Sequence, residues 1–290
     1  MIKRPSNIAL LGVLILVLLA PACYPDESLN VDELDVDLEL TELDLYIKEN
    51  FTDEYNMAIR YRFVDRYVDP GERVTPPRLE NVRPMLDFIE EYWINPYLEL
   101  PGGEDFFRGH VPPEIILLGG LIYNPDGTVT LGTADSGSRI TFTDVNSLDP
   151  DDEDWRTLQL QVVYHEFAHT VHQLYKLPNA FETITTAGYS SAGSWFNITD
   201  EDALNRGFVS PYATSSPNED FAETVAFYLF DPDFDAKYIS QTEDCTTAEC
   251  EAENIGKAAI AEKLAAISAH YKKEVDVDLT ALRAIIQSKL

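Results

Sequence analysis

Tyr164-His165-Glu166-Phe167-Ala168-His169-Thr170-Val171-His172 gathers three of the five histidines in the chain. His165 and His169 are four positions apart, with Glu166 directly after the first. On an α-helix that spacing separates two side chains by about 40° around the axis and about 6 Å along it, so both imidazoles can converge on one cation. Glu166 is then angled to hold a water that the cation activates. Zinc suits such a site, because imidazole is a good ligand and an open fourth position lets the metal lower the pKa of a water to about 7. Val162, Val163, Phe167, Val171 and Leu174 add the apolar flanks of a core helix with a site on one edge. A solvated polar face is the bland reading, and the clustering of three histidines argues against it.

Upstream, Asp149-Pro150-Asp151-Asp152-Glu153-Asp154 offers a capping aspartate, a first-turn proline and carboxylates suited to the helix dipole, so a helix is expected from there to Leu177, stopped by Pro178. A catalytic zinc site needs a third protein ligand. His172 is displaced about 10 Å along the axis from His165, which makes it a poor partner for the same ion and assigns it to the surroundings of the site. Tyr212-Ala213-Thr214-Ser215-Ser216-Pro217-Asn218-Glu219-Asp220-Phe221-Ala222-Glu223 is the better source. Glu219 and Glu223 share one helix face, so one can ligate while the other orients a histidine. A competing reading exists: Ser216-Pro217-Asn218-Glu219 also fits a capping box, in which Glu219 bonds only its own helix start.

Tyr164 to Gln173, Gly207-Phe208-Val209-Ser210-Pro211-Tyr212 and Ser215 to Glu223 resemble the substrate import-associated zinc metallohydrolase lipoproteins of Gram-negative bacteria, a family classed as zinc-binding metallopeptidases. Glu49-Asn50-Phe51 and Trp93-Ile94-Asn95-Pro96-Tyr97 also look like family segments, so the resemblance covers most of the mature chain. It implies an outer-membrane nutrient importer of the starch-utilisation type as a genomic neighbour. A more distant resemblance is to the lethal-factor type of gluzincin, where a tyrosine stands seven residues before the glutamate ligand and a second glutamate follows four after it. Tyr212, Glu219 and Glu223 reproduce that spacing. The resemblance implies that Tyr212 stabilises an oxyanion, Glu219 is the third ligand and Glu223 is a carboxylate behind the ligands.

The expected fold is α+β and zincin-like, with a mixed sheet and helices over about residues 39–148 and a mostly helical part over about 149–290. Leu40 to Phe51 and Val82 to Tyr92 read as helices, and Met57 to Phe63 as an alternating strand. Glu114 to Leu118 is apolar enough for a buried central strand. Thr128 to Gly132 and Arg139 to Thr143 read as two further strands, the second an edge strand beside the cleft where an extended peptide could pair. Later helices are expected over Pro217 to Leu229, Ala252 to Tyr271 and Leu279 to Lys289.

The N-terminus has the order of an export signal: Lys3-Arg4, then an apolar run from Ile8 to Leu19, then Ala20-Pro21-Ala22-Cys23. The run is shorter than the about 20 residues that a bilayer-spanning helix needs. Residues 1–22 are therefore expected to be a signal peptide, Cys23 the lipidated mature N-terminus and residues 23–38 an acidic tether, locating the protein on the periplasmic or cell-surface face of the outer membrane. Cys245 and Cys250 are expected to pair in that oxidising compartment, which contributes about 2 kcal/mol on the chain-entropy model. A formal charge of −30 excludes nucleic acid as a partner.

The expected activity is hydrolysis of a peptide or glycopeptide amide, with Glu166 as the base. The rival is a non-catalytic lipoprotein that captures substrate around a structural zinc, although a structural site has no use for a general base. The anchor has its own test: labelled fatty acid should enter the wild-type protein and not Cys23→Ala, and equal labelling of both would remove the lipoprotein expectation.

Overall fold

An apolar run without polar alternation, such as Ile115-Ile116-Leu117, needs cover on both faces of its strand. The computed structural model provides it. The structure describes residues 39–290 except 124–128, 131, 135–137 and 192. The expected signal peptide, Cys23 and the tether lie outside the described residues, and Thr41–Leu290 is one unit.

That unit begins with helix α1 (Glu42–Ile47), started by a reciprocal capping box between Thr41 and Asp44. A wide π turn at Lys48–Thr52 leads on to strand β1 (Ala58–Arg60). Helices α2 (Leu79–Ile89) and α3 (Gly103–His110) lie between β1 and β2 (Glu114–Leu117) in the chain. They supply the long crossover that a parallel pair requires. A short antiparallel pair, β3 (Ile122–Tyr123) and β4 (Val129–Thr130), precedes β5 (Gly132–Ala134) and β6 (Arg139–Phe142). The main sheet has the order β1-β2-β6-β5, with β1, β2 and β6 parallel and β5 antiparallel to β6.

Two strand expectations need correction. Arg139–Phe142 is not an edge strand, because β5 pairs along its outer side with Gly132 opposite Phe142. Ile140, Thr141 and Phe142 are each 1 % exposed, a burial that suits an interior strand. The strand expected over Met57 to Phe63 pairs only as far as Arg60. Beyond it, Tyr61 and Arg62 turn to the Asp44 carboxylate, with a tyrosine hydroxyl bond of 2.8 Å and guanidinium bonds of 2.8 and 2.7 Å.

Helix α4 (Glu153–Tyr175) carries the three clustered histidines. Asp152 caps it, its carboxylate accepting from the backbone nitrogens of Asp154 and Trp155. Pro150 falls before that cap rather than in the first turn, and its carbonyl accepts a 2.7 Å hydrogen bond from Arg156. Phe167 turns to the core, where it meets Trp93 and Tyr97 edge-to-face at 5.4 and 5.2 Å between ring centres. Helices α5 (Asp200–Asn205), α6 (Pro217–Phe230), α7 (Ala248–Val275) and α8 (Leu279–Gln287) complete the unit. Helix α4 packs on both β5 and β6 and most extensively against α6. Cys245 and Cys250 are joined by a disulfide just before and within the first turn of α7.

Helix α7 sends a lysine into the core to fasten α6. The Lys263 ammonium and the Asp220 carboxylate are both 0 % exposed and 2.7 Å apart. Lys263 also donates to the Gly207 carbonyl at 2.7 Å and lies 3.7 Å from the Phe208 ring centre. Gly207 ends α5 with φ +85°, a left-handed conformation that glycine takes without strain, and an added Cβ would meet Ala259 at 2.8 Å. Tyr189 donates to Asp220 at 2.9 Å. Burial pushes the Asp220 carboxyl up and the Lys263 ammonium down, so the pair holds its charges only through these contacts. Lys263→Met should leave a carboxylate stranded in the core and cost about 3–5 kcal/mol in urea denaturation. Adding Asp220→Asn should recover part of that loss. Equal losses in the single and double variants would contradict the interpretation.

Candidate metal centre

The start of α6 decides between the two readings of Glu219. Ser216 is the cap: its hydroxyl accepts from the Glu219 backbone nitrogen at 3.3 Å, and Pro217 occupies the first turn. The Glu219 side chain does not return to the cap. Its Oε2 lies 3.0 Å from Nε2 of His165 and 3.2 Å from Nε2 of His169. The two Nε2 atoms are themselves 2.9 Å apart. Three acceptor atoms therefore converge from two helices. Glu166 joins the cluster, a carboxylate oxygen lying within 4.8 Å of both imidazoles.

This donor set fits a small divalent cation. Three atoms each about 2.0–2.1 Å from a tetrahedral zinc stand about 3.3 Å from one another, and the observed triangle of 2.9, 3.0 and 3.2 Å is close to that. Its chemistry is equally suited, with two imidazoles and a carboxylate, and the glutamates have no lysine or arginine partner among the described residues. Neutral imidazoles whose lone pairs face one another at such distances need a positive charge between them. The surroundings favour such a charge: burial works against a charged His165, but Glu219 and Glu223 lift its pKa to about 10.

The far side of each imidazole is held as well. His165 Nδ1 lies 2.7 Å from Oε1 of Glu223, which is 1 % exposed. Ser210 donates to the other Glu223 oxygen at 2.6 Å, and Gln161 approaches Oε1 at 3.5 Å. His169 Nδ1 lies 2.6 Å from His172 Nε2. Burial and the neighbouring His169 pull the His172 pKa down to about 4, so His172 is a neutral acceptor for the His169 Nδ1 proton. His172 thus sits on the side of His169 away from His165, behind the converging nitrogens.

Glu166 contrasts with its neighbours. It is partly buried, and its carboxylate has no hydrogen-bond partner among the described residues. Burial pushes its pKa up, against the pull of His165 and His169. Burial opposes ionisation of Glu219 too, but the imidazoles of His165 and His169 beside it hold it well below the usual carboxylate range. Tyr212, in a single turn over Tyr212–Ser215, lies with its ring 5.9 Å from that of His165. Burial, followed by the charges of Glu219 and Glu166, raises its pKa and keeps the phenol protonated.

The structure thus brings together His165, Glu166, His169, Tyr212, Glu219 and Glu223, while Cys245 and Cys250 pair elsewhere. Sequence reasoning missed Ser210 and Gln161. Gln161 had a signal, four residues before His165 on the same helix face. Ser210 carried no spacing signal, because its contact joins the segment just before α6 to that helix through a turn whose course the spacing does not give.

Comparison with known proteins points to zinc as well. Residues 36–280 match the model of a family described as "putative zinc-binding metallo-peptidase". A solved structure from Bacteroides caccae with the same description superposes with a TM-score of 0.68 at 28% identity, covering 85% of this chain and 90% of that one. The comparison with curated proteins found no match. With the family model spanning most of the sequence and the solved relative sharing its fold, the chain belongs to this metallo-peptidase family.

Proposed function

We propose that the protein is a zinc-dependent peptidase of zincin-like architecture, exported and anchored through Cys23, that serves an outer-membrane nutrient importer. One observation carries the catalytic part: the acceptor triangle of His165, His169 and Glu219 stands beside a Glu166 carboxylate that is left free. His165, His169 and Glu219 would hold zinc. Bound zinc supplies Lewis acidity, which makes water acidic enough to attack near neutral pH and polarises a carbonyl. The family description supports zinc and peptides as metal and substrate. The anchor and the importer rest on the N-terminal sequence and the family resemblance. No helix of the described residues is long and apolar enough to cross a membrane.

Each residue has a defined task in this reading. Glu166 accepts the proton of the attacking water at its carboxylate and delivers it to the departing amine nitrogen. Its raised pKa brings the two protonation states closer to the working pH. Tyr212 donates its phenolic hydrogen to the carbonyl oxygen as negative charge builds there. Glu223 and His172 fix the orientation and tautomer of His165 and His169, the usual work of groups behind metal ligands. A capture protein with a structural zinc would have no need to hold Glu166 without a partner.

Glu166→Gln should keep zinc at near-full occupancy while peptide cleavage falls by about 10²–10⁴-fold, as read by mass spectrometry on a peptide library. Survival of full activity would remove Glu166 as the base. Ser216→Ala and Glu219→Ala separate the cap from the ligand. Ser216→Ala should lose about 1 kcal/mol of stability and retain zinc against chelator. Glu219→Ala should lose the metal, whereas Glu223→Ala should weaken it by about 10- to 100-fold. Full zinc retention in Glu219→Ala would refute the ligand set.

A further inference from the structure

A run of aromatic rings leads out of the metal centre to the surface. Tyr212, 38 % exposed, has its ring 5.9 Å from that of His165, and Trp195 meets Tyr212 edge-on at 5.1 Å between ring centres and 76° between planes. Phe196 continues the run, 6.2 Å from Trp195, and is 67 % exposed. Trp195 and Phe196 belong to a single turn over Trp195–Asn197. Its two flanks are secured: Ser190 donates to the Thr214 carbonyl from its backbone at 2.8 Å, and Ile198 packs against the core.

A single exposed phenylalanine is ordinary on a protein surface. This one is the outer end of a contiguous ring array whose inner end touches a metal-centre imidazole. Continuity with the reacting centre indicates what covers it, because a substrate held at the centre must pass its neighbouring groups over these rings. Charge narrows the choice. The turn is followed by exposed Asp200, Glu201 and Asp202, so an acidic group on a ligand side chain lying over these rings would be repelled.

We infer that Trp195, Phe196 and Tyr212 form a substrate subsite that receives a large apolar side chain, aromatic above all, from a peptide residue flanking the cleaved bond. This rests on the peptidase reading above and adds a specificity to it. Flat rings presented edge and face accept another aromatic ring in offset or edge-on contact, and they discriminate against small and acidic residues.

Binding can be read separately from cleavage. The probes are blocked pentapeptides of alanine with phenylalanine, leucine, alanine or glutamate at the central position, with maltoheptaose as a carbohydrate probe. Affinities are measured on the zinc-loaded full chain carrying Glu166→Gln by calorimetry and tryptophan fluorescence. A ligand-induced change in the latter reports on Trp195, because Trp93 and Trp155, the other two tryptophans, are buried out of a ligand's reach, and calorimetry alone serves for Trp195→Leu. The phenylalanine peptide should bind about tenfold or more tightly than the alanine peptide, the leucine peptide between them, and the glutamate peptide most weakly. Adding Phe196→Ala or Trp195→Leu should reduce the aromatic advantage to about twofold or less, with zinc content and melting temperature preserved. An undiminished preference in both variants, no preference among the peptides, absence of peptide binding, or binding of maltoheptaose alone would overturn the subsite. Ring-dependent binding of peptides that the wild-type chain leaves uncleaved would support the subsite and overturn the peptidase reading instead.

Discussion

Two imidazole nitrogens and a carboxylate oxygen, all lone-pair donors, are held between 2.9 and 3.2 Å apart at the junction of α4 and α6. Without a shared positive charge such a group pushes itself apart, and partial burial strengthens the repulsion. The surrounding structure must therefore resist it from several directions. Helix α6 is fastened from behind by the Lys263 ion pair, while its capped start fixes the backbone at Glu219. Glu223 and His172 fix the rings on α4. The position of α4 is set in turn by the sheet beneath it and by the aromatic cluster around Phe167.

Three glutamates of identical chemistry acquire three characters from their surroundings. Glu223 is buried and spends both oxygens on His165 and Ser210. Glu219 faces two imidazoles and stays ionised. Glu166 has no hydrogen-bond partner, and burial lifts its pKa. In the proposed mechanism a metal ligand, an orienting group and a proton carrier all come from one residue type, because environment separates their tasks. The same separation explains why the strongly acidic composition says little about the site. Most of the carboxylates are solvated at the surface, and only their placement distinguishes these three.

Much of the site was legible because its signals are local. The spacing of His165 and His169 dictates a common face on any helix, and Glu219 and Glu223 repeat the logic on α6. Glu219 was harder, since Ser216 to Glu219 fits both a capping box and a candidate ligand at a helix start. The structure realises half of the box, using the Glu219 backbone in the cap and its side chain in the cluster. What stayed hidden depends on distant pairing. The apolar run of β2 revealed a covered strand, but nothing local names β1 and β6 as its parallel neighbours; the edge reading of Arg139–Phe142 instead overlooked a nearby signal, the strand only a few residues upstream that pairs antiparallel with it. Helix α3 went unread, although Glu104 and Asp105 near its start and Arg108 and His110 near its end follow the dipole rule. Lys263 had a faint signal, a lysine in register with Ile260 and Ile267 on the buried side of α7, but its partner on another helix could not be read from spacing.

Diffraction from crystals of the zinc-loaded chain, recorded on both sides of the zinc absorption edge, tests the central claim directly. The anomalous map should contain one strong peak about 2.0–2.2 Å from Nε2 of His165, Nε2 of His169 and a carboxylate oxygen of Glu219, with Glu166 close by but not bound to the metal. A peak ligated by His172 or Glu166 in place of Glu219, or no peak between α4 and α6, would contradict it.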